Sequence, residues 1–130
     1  MAKVYETIIE VTEEHLDQQN HVNNVVYVQW VQDIAWAHWD KTATKAMTDA
    51  YYWVMINHFI EYKKEAKLGD SIKVKTYIVR SEGVRCVRAV EISNADSDVL
   101  LAKSETQWCL ISRNNNRPAR IPEDIQELFL

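Results

Sequence analysis

Glycine and proline are scarce in this chain. Gly69, Gly83, Pro118 and Pro122 are the only breakers in 130 residues. That scarcity argues against a loop-rich or low-complexity chain and leaves room for long regular elements. Cysteine is equally rare. Cys86 and Cys109 show no CxxC spacing and no accompanying histidine cluster, so no zinc site, and no metal at all, is expected. Both fall in stretches patterned as strands, where a free cysteine behaves as a small buried apolar residue. No apolar run approaches the ~20 residues that cross a bilayer. The stretch from Met1 to Glu10 is polar and alternating and lacks the apolar core of a signal peptide. A cytoplasmic protein with no membrane partner is expected. An excess of basic charge is also missing. The net charge of −4 argues against a nucleic-acid partner, while a local basic patch for a phosphorylated ligand stays open.

What is present is enough for a core. At 47% apolar and 26% charged residues the chain is globular in composition. Its length suits one domain, residues 1–130, that needs no staple. Lys3 to Val11 alternates as a first strand, with Val4, Ile8 and Val11 as its apolar residues. Thr12 to Asn20 is a polar loop. From Asn24 the period changes: Val28, Val31, Ala35 and His38, flanked by Tyr27 and Ile34, follow spacings of three and four and predict a helix to about Ala43. Asn23 or Asn24 suits its N-cap.

A strand is expected over Tyr51 to Ala66, apolar on both faces and therefore buried on both sides near one end. Strands follow over Ser71–Ser81, Val84–Ser93 and Val99–Ser112, with turns at Leu68-Gly69-Asp70, Glu82-Gly83 and Asn94–Asp98. Short turns between consecutive strands predict an antiparallel meander. Pro122 opens a short helix to Leu128. Strand, long helix, then four strands is satisfied by an α+β fold in which a curved antiparallel sheet wraps one helix. Ala102, Ser104 and Thr106, small residues on alternate positions, leave space for that helix.

The unusual local feature is Asp17-Gln18-Gln19-Asn20-His21-Val22-Asn23-Asn24-Val25-Val26-Tyr27. It sets a carboxylate in a loop just before a helix start. The unpaired N–H groups and positive dipole end of a first turn can stabilise a carbonyl oxygen as it gains charge. A carboxylate beside them can attack that carbonyl or activate water. Taken singly, Asp17 is equally a surface or capping residue, Asn23-Asn24 a plain cap and His21 a loop residue.

The pattern Asp17-x-x-x-His21-Val22-Asn23-Asn24-x-x-Tyr27-x-x-Trp30 resembles the active-site segment of the 4-hydroxybenzoyl-CoA thioesterase family, in its long-chain acyl-CoA branch, and that of the related acyl-carrier-protein thioesterases. Ile60-Glu61-Tyr62 leading to Leu68-Gly69-Asp70 is a second, weaker match. The resemblance implies the hotdog fold, a long central helix wrapped by a curved five-stranded antiparallel sheet. It implies hydrolysis of an acyl thioester, with Asp17 as nucleophile or general base and the backbone N–H of Asn24 polarising the carbonyl. His21 and Asn23 would shape the pocket or orient water, and Tyr27 and Trp30 would line the acyl site. It implies a homo-oligomer, dimer or tetramer, whose sheets pair edge to edge with active sites between protomers. No separate cofactor is implied, since coenzyme A or phosphopantetheine arrives as part of the substrate, free or on an acyl carrier protein. Lys63 and Arg88 lead a set, with Lys64, Lys67, Arg85, Arg113, Arg117 and Arg120, that could meet phosphates or an acidic carrier surface.

The chain departs from the family pattern at three places. Asn20 stands where glycine is common, and asparagine is among the better substitutes if φ is positive there. Lys63-Lys64-Glu65-Ala66 lacks a proline, and Asp33 replaces a glutamate. A hotdog protein that binds acyl thioesters without turnover is the alternative. A hotdog dehydratase ranks below it, because no histidine here has the Pro/Gly surroundings of that class.

Overall fold

The structure, a computed structural model, describes residues 3–130; Met1 and Ala2, the start of the stretch read above for a leader, lie outside the described residues. The order of elements is β1 (Tyr5–Glu10), a short 3-10 turn (Glu13–His15), α1 (Asn24–Thr42), α2 (Lys45–Ala50), β2 (Tyr51–Tyr62), β3 (Ser71–Glu82), β4 (Arg85–Asn94), β5 (Leu100–Ser112), β6 (Arg117–Pro118) and α3 (Glu123–Leu128). The strands form one antiparallel sheet in the order β1-β3-β4-β5-β2, with β6 added to β5. α1 runs along the inner face of this sheet, which is the α+β hotdog arrangement.

α1 forms where the three-and-four spacing predicts it. Tyr27, Trp30, Val31, Ile34, Ala35, His38 and Trp39 are its buried stripe. At its N-terminal half Val31 and Ile34 pack on Ile72 and Val74 of β3, Val90 and Ile92 of β4 and Ala102 of β5. Fully burying one such aliphatic side chain contributes roughly 1.5–3 kcal/mol. At its C-terminal half a second cluster gathers Trp39, Ile78, Cys86, Leu110 and, from the C-terminal segment, Ile121, Ile125 and Phe129. Between the clusters lies a buried polar belt of His38, Thr76, Arg88, Ser104 and Thr106. Register explains it: Arg88 faces Thr106 across β4–β5, and Thr106 faces His58 across β5–β2.

The meander holds for β3-β4-β5 and is corrected at its first strand. β2 does not pair with β3; it lies at the far edge against β5, and β1 occupies the place beside β3. The connection after Tyr62 is not a hairpin turn but a crossover over the N-terminal end of α1. It is held by Ala66 N–H donating to the Tyr27 hydroxyl at 3.0 Å and by Val11 N–H donating to the Asp70 carbonyl at 3.0 Å. β2 accordingly stops at Tyr62, and its two apolar faces do not mean burial on both sides. Val54, Ile56 and Phe59 are exposed on an edge strand.

β1 is also re-faced. Tyr5 and Ile9 meet the core, while Val4 and Ile8 point outward, because Tyr5 pairs with inward-facing Thr76. α2, which has no apolar period to betray it, is capped by Thr44, whose hydroxyl accepts from Met47 N–H. Pro122 serves as N-cap of α3 and not as its first residue. Both cysteines are free and buried, and burial pushes the Cys86 thiol up to about 11. Among the described residues no helix is long and apolar enough to cross a membrane.

Candidate active site

The Asp17 loop is closed by its own backbone. Leu16 bridges Val22, and Asp17 N–H donates to the His21 carbonyl at 2.8 Å. The Asp17 side chain ties the turn from inside, its Oδ1 accepting from Gln19 N–H at 2.8 Å and His21 N–H at 3.1 Å. Asn20 has φ of 63°, the left-handed conformation that makes glycine or asparagine the suitable residue there. With Oδ1 held by two donors, the exposed carboxylate presents Oδ2, which has no partner among the described residues. The carboxylate is therefore fixed in direction and half free.

The helix start faces the same cleft. Asn23 caps α1, its Oδ1 accepting from Val25 N–H at 3.0 Å, and Val26 N–H returns to the Asn23 carbonyl at 2.8 Å. The N–H of Asn24 is left without a partner among the described residues. No acidic residue occupies the first turn, so nothing there offsets the positive end of the dipole. His21 Nε2 lies 3.2 Å from Glu65 Oε2, on the crossover. The Tyr62 hydroxyl donates to the Asn24 carbonyl at 3.5 Å, tying the end of β2 to the helix start. Asp17, His21, Asn24, Tyr62, Lys63 and Glu65 line a cleft of about 410 Å³.

The other expected site residues divide. Lys63 stands on this cleft, with Nζ 2.9 Å from Glu61 Oε1. Lys64 joins it. Tyr27 forms part of the wall, but it is buried and its hydroxyl is committed to Ala66 N–H; burial raises its pKa above the ordinary tyrosine value. Trp30 is not brought to the cleft. It is 4% exposed and packs edge-on against His15 and Tyr27, a core residue. Arg88 is likewise removed from the surface set. It is 5% exposed beneath the C-terminal half of α1, because alternation along β4 turns it inward with Cys86 and Val90. Glu65 and Tyr62 were given no site role from sequence, although Tyr62 closes the weaker Ile60-Glu61-Tyr62 match and Glu65 lies in the Lys63–Ala66 departure.

The family model for the acyl-ACP thioesterase N-terminal domain matches residues 2–129. No curated protein matches the chain. Among solved structures it is similar to the probable thioesterase YbaW of Escherichia coli, with 21% identity, 95% of this chain and 94% of that one covered, and a TM-score of 0.86. It is similar to a 1,4-dihydroxy-2-naphthoyl-CoA thioesterase from Synechocystis, with 18% identity, coverage of 97% and 95%, and a TM-score of 0.83. It also matches the 12:0-ACP thioesterase of Umbellularia californica at 14% identity and a TM-score of 0.83, where 98% of this chain spans 51% of the other. The sheet order, the helix it holds and a family match over nearly the whole length agree: the chain belongs to the acyl-ACP thioesterase N-terminal domain family and has the hotdog fold.

Proposed function

We propose that this protein hydrolyses an acyl thioester of coenzyme A or of an acyl carrier protein, with Asp17 as the acting carboxylate and the Asn24 N–H as the oxyanion donor. One observation carries this reading: a carboxylate oxygen and a helix-start N–H, both without partners among the described residues, open on one cleft. An N–H that gains its partner only when charge develops on the carbonyl oxygen favours the transition state over the ground state. Asp17 Oδ2 either attacks the carbonyl carbon, so that the thiolate leaves and water then cleaves the acyl-Asp17 anhydride to free acid, or takes a proton from a water that attacks the carbonyl carbon directly as the thiolate leaves. His21, oriented by Glu65, shapes the pocket beside it. Lys63 and Lys64 line the cleft and would meet the phosphate of a carrier arm bound there. The resemblance to both coenzyme A and carrier-protein thioesterases leaves the carrier to experiment.

The test is thiol release from short, long and aromatic acyl-CoA esters and from acyl carrier protein, for wild type and Asp17→Asn. Turnover is expected to drop by at least ~10²-fold in the variant, the size typical for losing an acid–base group. A folded Asp17→Asn protein with near-normal turnover overturns the assignment. Absence of turnover on every ester moves the reading to a binding protein. In a single turnover in ¹⁸O-water, label in the protein carboxylate marks direct attack with an anhydride opened at the Asp17 carbonyl, and trapping of an acyl-Asp17 adduct by hydroxylamine separates an anhydride opened at its acyl carbonyl from water activation.

A further inference from the structure

A second cleft, of about 200 Å³, opens beside the C-terminal half of α1 and shares no lining residue with the first. It begins at Ala35, eleven residues beyond Asn24 and so roughly 17 Å along the helix axis. Its walls are aromatic: Trp36 and Trp39 from α1, Tyr52 and Trp53 from β2, and Trp108 from β5. Arg88 lines it from β4.

Arg88 is the anomaly. It is 5% exposed, and no carboxylate among the described residues lies within ion-pair reach of it. Buried cations are ordinarily paired with an anion, because desolvation otherwise goes uncompensated. Here the neighbours are neutral. Nη1 donates to His38 Nδ1 at 3.0 Å and to the Thr76 hydroxyl at 3.0 Å, and that hydroxyl donates in turn to the Ala89 carbonyl. His38 can accept because burial, and then the charge of Arg88, hold its pKa down at about 4. Arg88, lowered by burial to about 10, stays a cation at neutral pH. The Phe129 ring lies 5.5 Å from the guanidinium carbon and covers one face. Asp40 stands at the rim of the cleft, exposed and unpaired with Arg88. Nε and Nη2, the side-on fork that takes a carboxylate with two parallel bonds, have no partner among the described residues.

We propose that this cleft binds a small carboxylic acid with a single aromatic ring or an equally compact apolar body, the carboxylate pairing with the free fork of Arg88 and the body lying among Trp36, Trp39, Trp53 and Trp108. The size follows from the volume. An apolar cavity of about 150 Å³ admits benzene, so 200 Å³ has room for one ring with its carboxylate. The chemistry follows from the lining, since aromatic walls favour a flat body and the one buried cation fixes its anionic end. Thioester hydrolysis releases carboxylic acids, so the reaction proposed above yields ligands of this class, but the site does not depend on that reaction.

Four of the lining residues are tryptophans, which supplies the readout. The full chain is titrated with benzoate, and separately with benzamide and benzyl alcohol, by tryptophan fluorescence and calorimetry. Benzoate is expected to saturate, with the two neutral analogues weaker by at least ~30-fold, the scale of a charge-assisted pair of hydrogen bonds. Arg88→Met is expected to abolish the preference for the acid. Trp36→Ala keeps the test valid if Arg88→Met does not fold, because Trp36 is 67% exposed and its removal leaves the core intact. It should weaken benzoate several-fold. Asp17→Asn should bind benzoate as wild type does, whatever becomes of its turnover. No saturation at millimolar benzoate, equal binding of acid and amide, or loss of binding in Asp17→Asn each overturns the proposal.

Discussion

Asn20 shows how much a single residue can be asked to do. Its φ of 63° lets the loop turn back so that Asn20 N–H donates to the Asp17 carbonyl at 3.2 Å, and Asp17 Oδ1 then reaches Gln19 and His21. A β-carbon in this conformation costs about 1–2 kcal/mol for an ordinary residue and less for asparagine. Asn20→Ala is therefore expected to lower unfolding stability by ~1 kcal/mol, with Asn20→Gly within ~0.5 kcal/mol of wild type, measured by urea denaturation. Equal stability of alanine and glycine variants would refute the strain argument. Position 20 was readable from sequence because asparagine and glycine share a backbone preference. Arg88 was misread as a surface cation for the opposite reason: charge alone does not report which face of a strand a residue occupies. The correcting signal was parity, since Cys86 and Val90, two residues away on either side, share its face.

At the scale of elements, α1 carries the site, and its first turn depends on one side chain. Asn23 Oδ1 satisfies Val25 N–H, which fixes the turn that presents Asn24 N–H to the cleft. Asn23→Ala should destabilise the fold by ~1 kcal/mol, and Asn23→Ser should recover most of it. Chemical denaturation measures the first effect, and the esterase assay measures a second. Turnover should fall in the alanine variant and return in the serine variant, because a frayed first turn no longer holds the N–H in place. Alanine and serine variants of equal stability would show that the cap contributes nothing. α1 was legible because a periodic apolar stripe and a capping asparagine agree. α2 was not, since Lys45–Ala50 is too short for a period and its start rests on the Thr44 hydroxyl. The partner of β2 was illegible for a different reason. Turn residues mark where a chain bends, but the crossover is fixed by distant contacts, Tyr27 with Ala66 and Val11 with Asp70. The element order and the Asp17–Trp30 motif, through its resemblance, both pointed to a curved sheet around one helix, while strand-by-strand reading misplaced only the partner of β2.

The whole molecule ends in two unequal sheet edges. β1 is short and carries Glu6 and Glu10 outward, which guards it against pairing. β2 has twelve residues, contains neither lysine nor proline, and exposes Val54, Ile56 and Phe59. A long apolar edge of that kind invites a second strand, and the expected homo-oligomer would form by a twofold, antiparallel pairing of β2 with its copy. Such pairing brings the Tyr51 end of one β2 to the Tyr62 end of the other, beside the cleft that Tyr62 lines with Asp17. The Asp17 cleft would then be completed by a second protomer. Sedimentation equilibrium is expected to give a dimer or a multiple of it. The double substitution Ile56→Lys and Phe59→Lys should shift it to monomer, with thermal stability of the protomer little changed, because both side chains are exposed. Turnover should decline in step with the dimer fraction and recover at higher protein concentration. A monomeric variant that keeps full turnover would show that one chain holds the complete site and that the apolar edge of β2 serves another purpose.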